Sequence, residues 1–435
     1  MTNSTLTIPA SASSASVAAL AQFATDFIGY GAGLGSYFGA ANADPTAPLI
    51  QAYAGALHMA LEAATGYEAA QPFLSRAMVH AGSGSDAEQR VTAAILDWSR
   101  GRADMAVRGL MAHVTQTPED LLAAKWGQYL AFNLGDAGAM LKFAELTLPR
   151  HREVGAAHGM LAFGLEQTHE LEAAEAAGRR ALAIDRADAW AQHAVAHVLE
   201  TQGRVDEGIG FLRDHSDTWS DRSVFMREHN WWHVALFHLD REEPQEALKI
   251  FDAHLWGEWQ EFGQEQIGAV SMLWRLELRG VDVGARWVPI GQKIAARGPE
   301  HVWPFHDMHF VYGLARAGQR DALKTLMESM TRKAQTSDVW RDVAYPLAQG
   351  LVAHAEGRMT ESATLIARAM PRLQSIGGSH AQRDVIVQTW MDAAIRAGEH
   401  SAARAVLEER LEARPNIPVT TRLLGMCGAP RLAFG

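Results

Sequence analysis

Apolar residues recur along this chain at the three- and four-residue spacing of amphipathic helices, and short polar or glycine-containing breaks separate the runs. Ala247, Leu248, Ile250 and Phe251 show the pattern in a single segment, where they fall on one packing face. Nowhere do apolar and polar residues alternate as they do in a half-buried strand, so the pattern predicts an all-α protein without a sheet. The breaks sit near Gly101, Gly135, Thr168, Gly203, Arg241, Gly280, Gly318, Gly357 and Gly398.

The earlier breaks recur at about the 34-residue period of a tetratricopeptide unit, a helix, a turn and a second helix. The later ones lie a few residues farther apart, which predicts longer helices or loops there. Glycine at the break suits a left-handed turn that ends the first helix. The acidic or hydroxyl residues that follow, Asp206 after Gly203, Thr360 and Glu361 after Gly357, Glu399 and Ser401 after Gly398, suit the start of the next. The expected fold is a tetratricopeptide-like α-solenoid of antiparallel helix pairs curled into a superhelix, nearly continuous from residue 48 to residue 412. Within it, 1–14 reads as a flexible tail, 15–100 as an N-terminal helical cap with helices at Val17–Tyr30 and Pro48–Thr65, 101–412 as the repeat array, and 413–435 as a proline-rich C-terminal cap. Pro149, Pro244, Pro289, Pro304, Pro346 and Pro371 fall at or near expected helix ends, where proline is tolerated.

Composition narrows the partners. The 435 residues carry a formal net charge of −11, and no basic block stands out, which argues against nucleic acid and against an anionic membrane surface. No apolar run is long enough to span a bilayer. The first residues hold no Lys or Arg and do not form a secretory signal. Cys427 is the single cysteine, so neither an intramolecular disulfide nor a cysteine-rich zinc site can form, and a reducing, cytoplasmic location is expected.

Four phrases carry a more specific likeness. They are Asp188-Ala189-Trp190-Ala191-Gln192-His193-Ala194-Val195-Ala196-His197, His229-Asn230-Trp231-Trp232-His233-Val234-Ala235-Leu236, Asp307-Met308-His309-Phe310, and Gly377-Gly378-Ser379-His380-Ala381-Gln382-Arg383-Asp384-Val385. In content and order they resemble the tetratricopeptide repeat protein 38 family over roughly residues 45–425. Thr147–Ala157 departs from it: the family often has an aromatic and proline-rich phrase there, and this chain has Leu148-Pro149-Arg150-His151-Arg152. The resemblance implies the fold and no particular reaction.

The same phrases hold the candidate chemistry. His193 and His197 are spaced i, i+4 and share a helical face, and His229 and His233 repeat that spacing one helix pair later. Asp307, His309, Arg383 and Asp384 also precede their turns, which places all of them in first helices. Two His pairs on neighbouring helices, with Asp307 adding a carboxylate, form a set that could hold a divalent metal such as zinc, iron, nickel or manganese. The plainer reading makes each histidine a hydrogen-bonded packing residue. Arg383 suits a carboxylate or phosphate, or pairs with Asp384 to staple helices. Trp190, Asn230, Trp232 and Gln382 complete the expected ligand-binding set, although most of the thirteen tryptophans are packing anchors.

Gly31-Ala32-Gly33-Leu34-Gly35-Ser36 has the wrong spacing for a nucleotide loop, and His169-Glu170 lacks the second histidine of a zincin. The expected function is binding of a small molecule or short peptide in a His/Asp/Arg/Trp-lined groove. The alternative is an enzyme of hydrolase or lyase type that uses the same groove by acid–base or metal-assisted chemistry. A homodimer stays open.

Overall fold

A computed structural model describes residues 6–415 and 417–428. Among them are 23 α-helices and no strand; the extended pairing is an isolated bridge between Gly31 and Arg222. The chain is an all-α, tetratricopeptide-like array of helix pairs. No helix of the described residues is long and apolar enough to cross a membrane.

The turn after Leu121–Leu134 shows how the pairs are made. Asp120 opens the helix by accepting a hydrogen bond from the Ala123 amide at 2.9 Å. Gly135 closes it at φ 72°, which lets the Asp136 amide reach back to the Ala131 carbonyl at 2.8 Å. Asp136 then caps Ala137–Thr147 by accepting from the Ala139 amide at 2.9 Å. Gly101, Gly203, Gly280, Gly318, Gly357 and Gly398 are left-handed as well. At the two breaks without glycine, the left-handed residue is the one after the expected position: His169 (φ 64°) and Glu242 (φ 57°). The acidic residues after Gly203 and Gly357 stand at the start of the next helix. Asp206 and Glu361 lie in the first turn, where they face the positive helix end.

Two later stretches, Phe251–Leu255 and Trp340–Ala344, wind as single π-helical turns. A π-turn accommodates an extra residue within a helix, so part of the longer late spacing is absorbed there. Pro48, Pro244 and Pro304 stand in the first turn of their helices, where no amide is missed.

The chain divides into two compact units: Met1–Val195 with His215–Arg227, and Ala196–Asp214 with Glu228–Gly435. In the first unit the N-terminal helix runs from Ser14 to Ile28, and Phe27 stacks on Trp126 at 4.1 Å. Of the expected tail, residues 1–5 lie outside the described residues. Leu6 and Thr7 are buried, and the Thr7 amide donates to Asp120 at 3.2 Å. The detached segment His215–Arg227 joins this unit: the Ser223 amide donates to the Tyr30 carbonyl at 2.7 Å, and Arg222 donates to the Gly29 carbonyl at 3.2 Å.

The second unit closes on itself. Arg414 bonds Asp240, Arg422 bonds Glu242 at 2.5 Å, and Arg275 donates to the Ala381 carbonyl at 2.6 Å. A plain repeat array pairs each unit only with its neighbours; these contacts join segments more than a hundred residues apart. Of the expected C-terminal cap, 418–426 is helical, while 416 and 429–435 lie outside the described residues. Inside the pairs, helices touch through glycine. A Cβ added at Gly208 would stand 2.2 Å from the Phe237 ring, and Gly127 meets Phe143 in the same way.

Candidate functional site

Histidines gather in the second unit. His197 comes from Ala189–Thr201, and His229 and His233 come from successive turns of Val224–Asp240. Each offers an imidazole nitrogen, and these nitrogens lie within 4.8 Å of one another. The His197 and His233 rings are 4.5 Å apart, and His229 meets His233 edge-on at 5.0 Å. His193 stands one turn before His197 on the same helix, on the face that i, i+4 spacing shares. Burial, with the neighbouring His233 and His197 imidazoles, holds His229 well below the ordinary histidine pKa.

Glu200, three residues after His197, lies 3.2 Å from His233 Nδ1. A carboxylate accepts, so Nδ1 carries the proton and Nε2 carries the lone pair. Burial raises the Glu200 pKa, and Arg414 opposes that rise.

Beside the histidines is a cleft of about 240 Å³ of empty space, open solvent included. Its lining includes His229, Trp232, Gln264, Ser271, Phe305, His309 and Gln382. His309 is fully buried, and its Nδ1 donates to the Phe305 carbonyl at 2.9 Å. That bond fixes the tautomer and leaves the lone pair on Nε2, which has no hydrogen-bond partner among the described residues. Burial pushes His309 down to about 3, so the ring is neutral. Gln382 completes a capping box with Ser379: its amide receives from the Ser379 amide at 3.0 Å through Oε1, which leaves Nε2 as the end able to donate.

Arg275 braces the floor. Its guanidinium lies 5.1 Å from the Trp232 ring centre, bonds Ser271 and reaches the Ala381 carbonyl. Burial lowers it to about 10, still charged at neutral pH. Neither Arg275 nor Glu200 was among the residues expected from sequence. A lone charge inside the apolar run Ile267–Leu276, and an acid one turn after His197, are the signals that mark them.

Of the expected set, His229, Trp232, His309 and Gln382 line the cleft. The others lie elsewhere. Asp307, expected to join the histidines, bonds His301, whose Nε2 accepts from the Ser329 hydroxyl at 2.8 Å. Arg383 donates to the Gly377 carbonyl at 3.3 Å and to that of Gly378. Asp384 receives both Arg410 nitrogens, at 2.5 and 3.0 Å, and staples His380–Arg396 to His400–Ala413. Arg383 and Asp384 thus hold structure by separate bonds. Asn230 is fully buried, and neither end of its amide has a hydrogen-bond partner among the described residues. Trp190 belongs to the first unit. It stacks on Tyr30 at 5.0 Å and on His193 at 4.6 Å, with the buried Lys125 ammonium 4.3 Å from its ring.

No family model matches the chain. Solved structures similar to it include PilF of Pseudomonas aeruginosa, at 16% identity over 59% of this chain and 95% of that one, with TM-score 0.31. A human IFIT1 dimer with PPP-AAAA aligns at 11% identity over 87% of this chain and 90% of that one, with TM-score 0.43. Naa15/Naa10 bound to HypK-THB aligns at 12% identity over 93% and 66%, with TM-score 0.28. The likeness to these tetratricopeptide-type helical proteins is one of fold.

Proposed function

We propose that the second unit binds a small molecule in the cleft between His229 and His309, and that the chain is a member of the tetratricopeptide repeat protein 38 family, as its four ordered sequence phrases suggest. The observation that carries the binding reading is His309 Nε2, a buried lone pair at the cleft wall with no protein donor. Burying such an acceptor is costly unless something donates to it. Gln382 Nε2 supplies a donor in the same lining, and Trp232 and Phe305 supply apolar faces. The matching ligand carries a hydroxyl or amine and an acceptor on a compact apolar body.

The test is a thermal-shift panel of small hydroxy and amino compounds, read with tryptophan fluorescence because Trp232 walls the cleft. Hits should disappear in His309→Leu while the fold is retained. Hits that persist unchanged in that variant, or a panel without hits, count against the cleft. The same Nε2 supports a catalytic reading, in which His309 takes a proton from the bound molecule. Under that reading, product accumulates with any hit compound, and His309→Leu stops it.

A further inference from the structure

Three imidazoles packed together are not explained by apolar burial. Each ring brings polar nitrogens into a region that Trp232 covers, its ring stacked on His229 at 5.3 Å. One helix contributes His197 and the next first helix contributes His229 and His233 at i, i+4, so the backbone alone brings three nitrogens together within 4.8 Å. Glu200 lies 3.2 Å from His233 Nδ1, which makes Nε2 the ring's acceptor nitrogen, the carboxylate–histidine arrangement that orients metal ligands.

We infer that His197, His229 and His233 form a binding site for a divalent transition-metal ion of the zinc class. The donor set decides the class. Imidazole nitrogens suit zinc, cobalt, nickel and copper, whereas magnesium and calcium take oxygen. Zinc–nitrogen bonds of about 2.0–2.1 Å require the three nitrogens to draw in by about an ångström, which small side-chain rotations provide. His229 belongs both to this group and to the cleft lining, so an ion held here borders the cleft. The inference deepens the cleft reading by naming the ion at its edge, but it rests on the histidine geometry.

The test uses the full chain without an affinity tag, stripped by a chelator and returned to metal-free buffer. Titration with Zn²⁺ should reach one equivalent, and Co²⁺ should give the strong visible absorption of a four-coordinate site. His197→Gln/His233→Gln should abolish both signals, with circular dichroism checking the fold. Glu200→Gln, which keeps all three ligands, should weaken Zn²⁺ about 10–100-fold. His400→Gln, an exposed histidine elsewhere, should change nothing. Failure of the stripped chain to bind one equivalent, or binding that survives the double substitution, overturns the inference. The small-molecule panel is run on the same metal-free samples. Ligand binding without metal binding defeats the metal site alone, and metal binding without any ligand defeats the cleft alone.

Discussion

Gly208 receives the tip of the Phe237 ring so closely that a Cβ there would lie 2.2 Å from it, while Gly210, two residues on in the same helix, faces open space. The two glycines therefore make opposite predictions. Gly208→Ala overpacks the helix pair and should destabilise the fold by about 1–3 kcal/mol. Gly210→Ala gains helix propensity and should stabilise it by about 0.5–1 kcal/mol. Denaturant unfolding of both variants decides; equal effects would mean that the close approach is not a constraint.

Gly318 holds a left-handed turn at φ 69° with nothing within 4 Å of its would-be Cβ. Gly318→Val thus isolates backbone strain from crowding. A loss of about 1–2 kcal/mol is expected, and an unchanged melting temperature would contradict a strained turn.

Burial depresses His306 and His309 to about 3 each. In the unfolded chain a histidine titrates near 6.5. The unfolded state therefore binds protons that the folded state refuses, and stability falls as pH drops from about 6.5 toward 3. Each group contributes a slope of up to about 1.4 kcal/mol per pH unit. His309→Gln should flatten the curve by one such contribution without changing its shape above pH 7. Urea melts across this range measure it directly.

Asp384 is held below the ordinary carboxylate range: burial pushes it up, but Arg410 outweighs burial. Both side chains are about one-fifth exposed, at 21% and 22%, so the coupling lies between that of surface and buried pairs. A double-mutant cycle of Asp384→Asn and Arg410→Met should give about 1–3 kcal/mol. Small-molecule binding should survive both single changes, since neither residue lines the cleft. A coupling near zero would mean that the staple is incidental.

The repeat is legible in the sequence because its turns are written in glycine. Where the break lacks glycine, the backbone still needs one left-handed residue, and spacing alone places it within a residue: His169 for Thr168, Glu242 for Arg241. The histidine group is legible for a similar reason, since i, i+4 pairs on consecutive first helices must lie near one another. The rest of the cleft is not. Phe305, His309 and Gln382 reach His229 through the closing of the second unit, and the Arg275–Ala381 bond that braces it spans 106 residues without any periodic signal. Asp307 shows the limit of reading a buried acid as a site. Its partner His301 lies six residues upstream, in an irregular segment that periodicity does not describe.

The first unit contains residues 215–227, although residues 196–214 belong to the second. The chain therefore leaves the first unit, returns, and leaves again. A nascent chain cannot complete its first unit until Arg227 has been synthesised, by which time the start of the second already exists. The Tyr30 carbonyl waits for the Ser223 amide across nearly two hundred residues. No single cut separates the units intact: removing everything after Val195 deprives the first of its returning segment, and beginning at Glu228 deprives the second of His197 and Glu200.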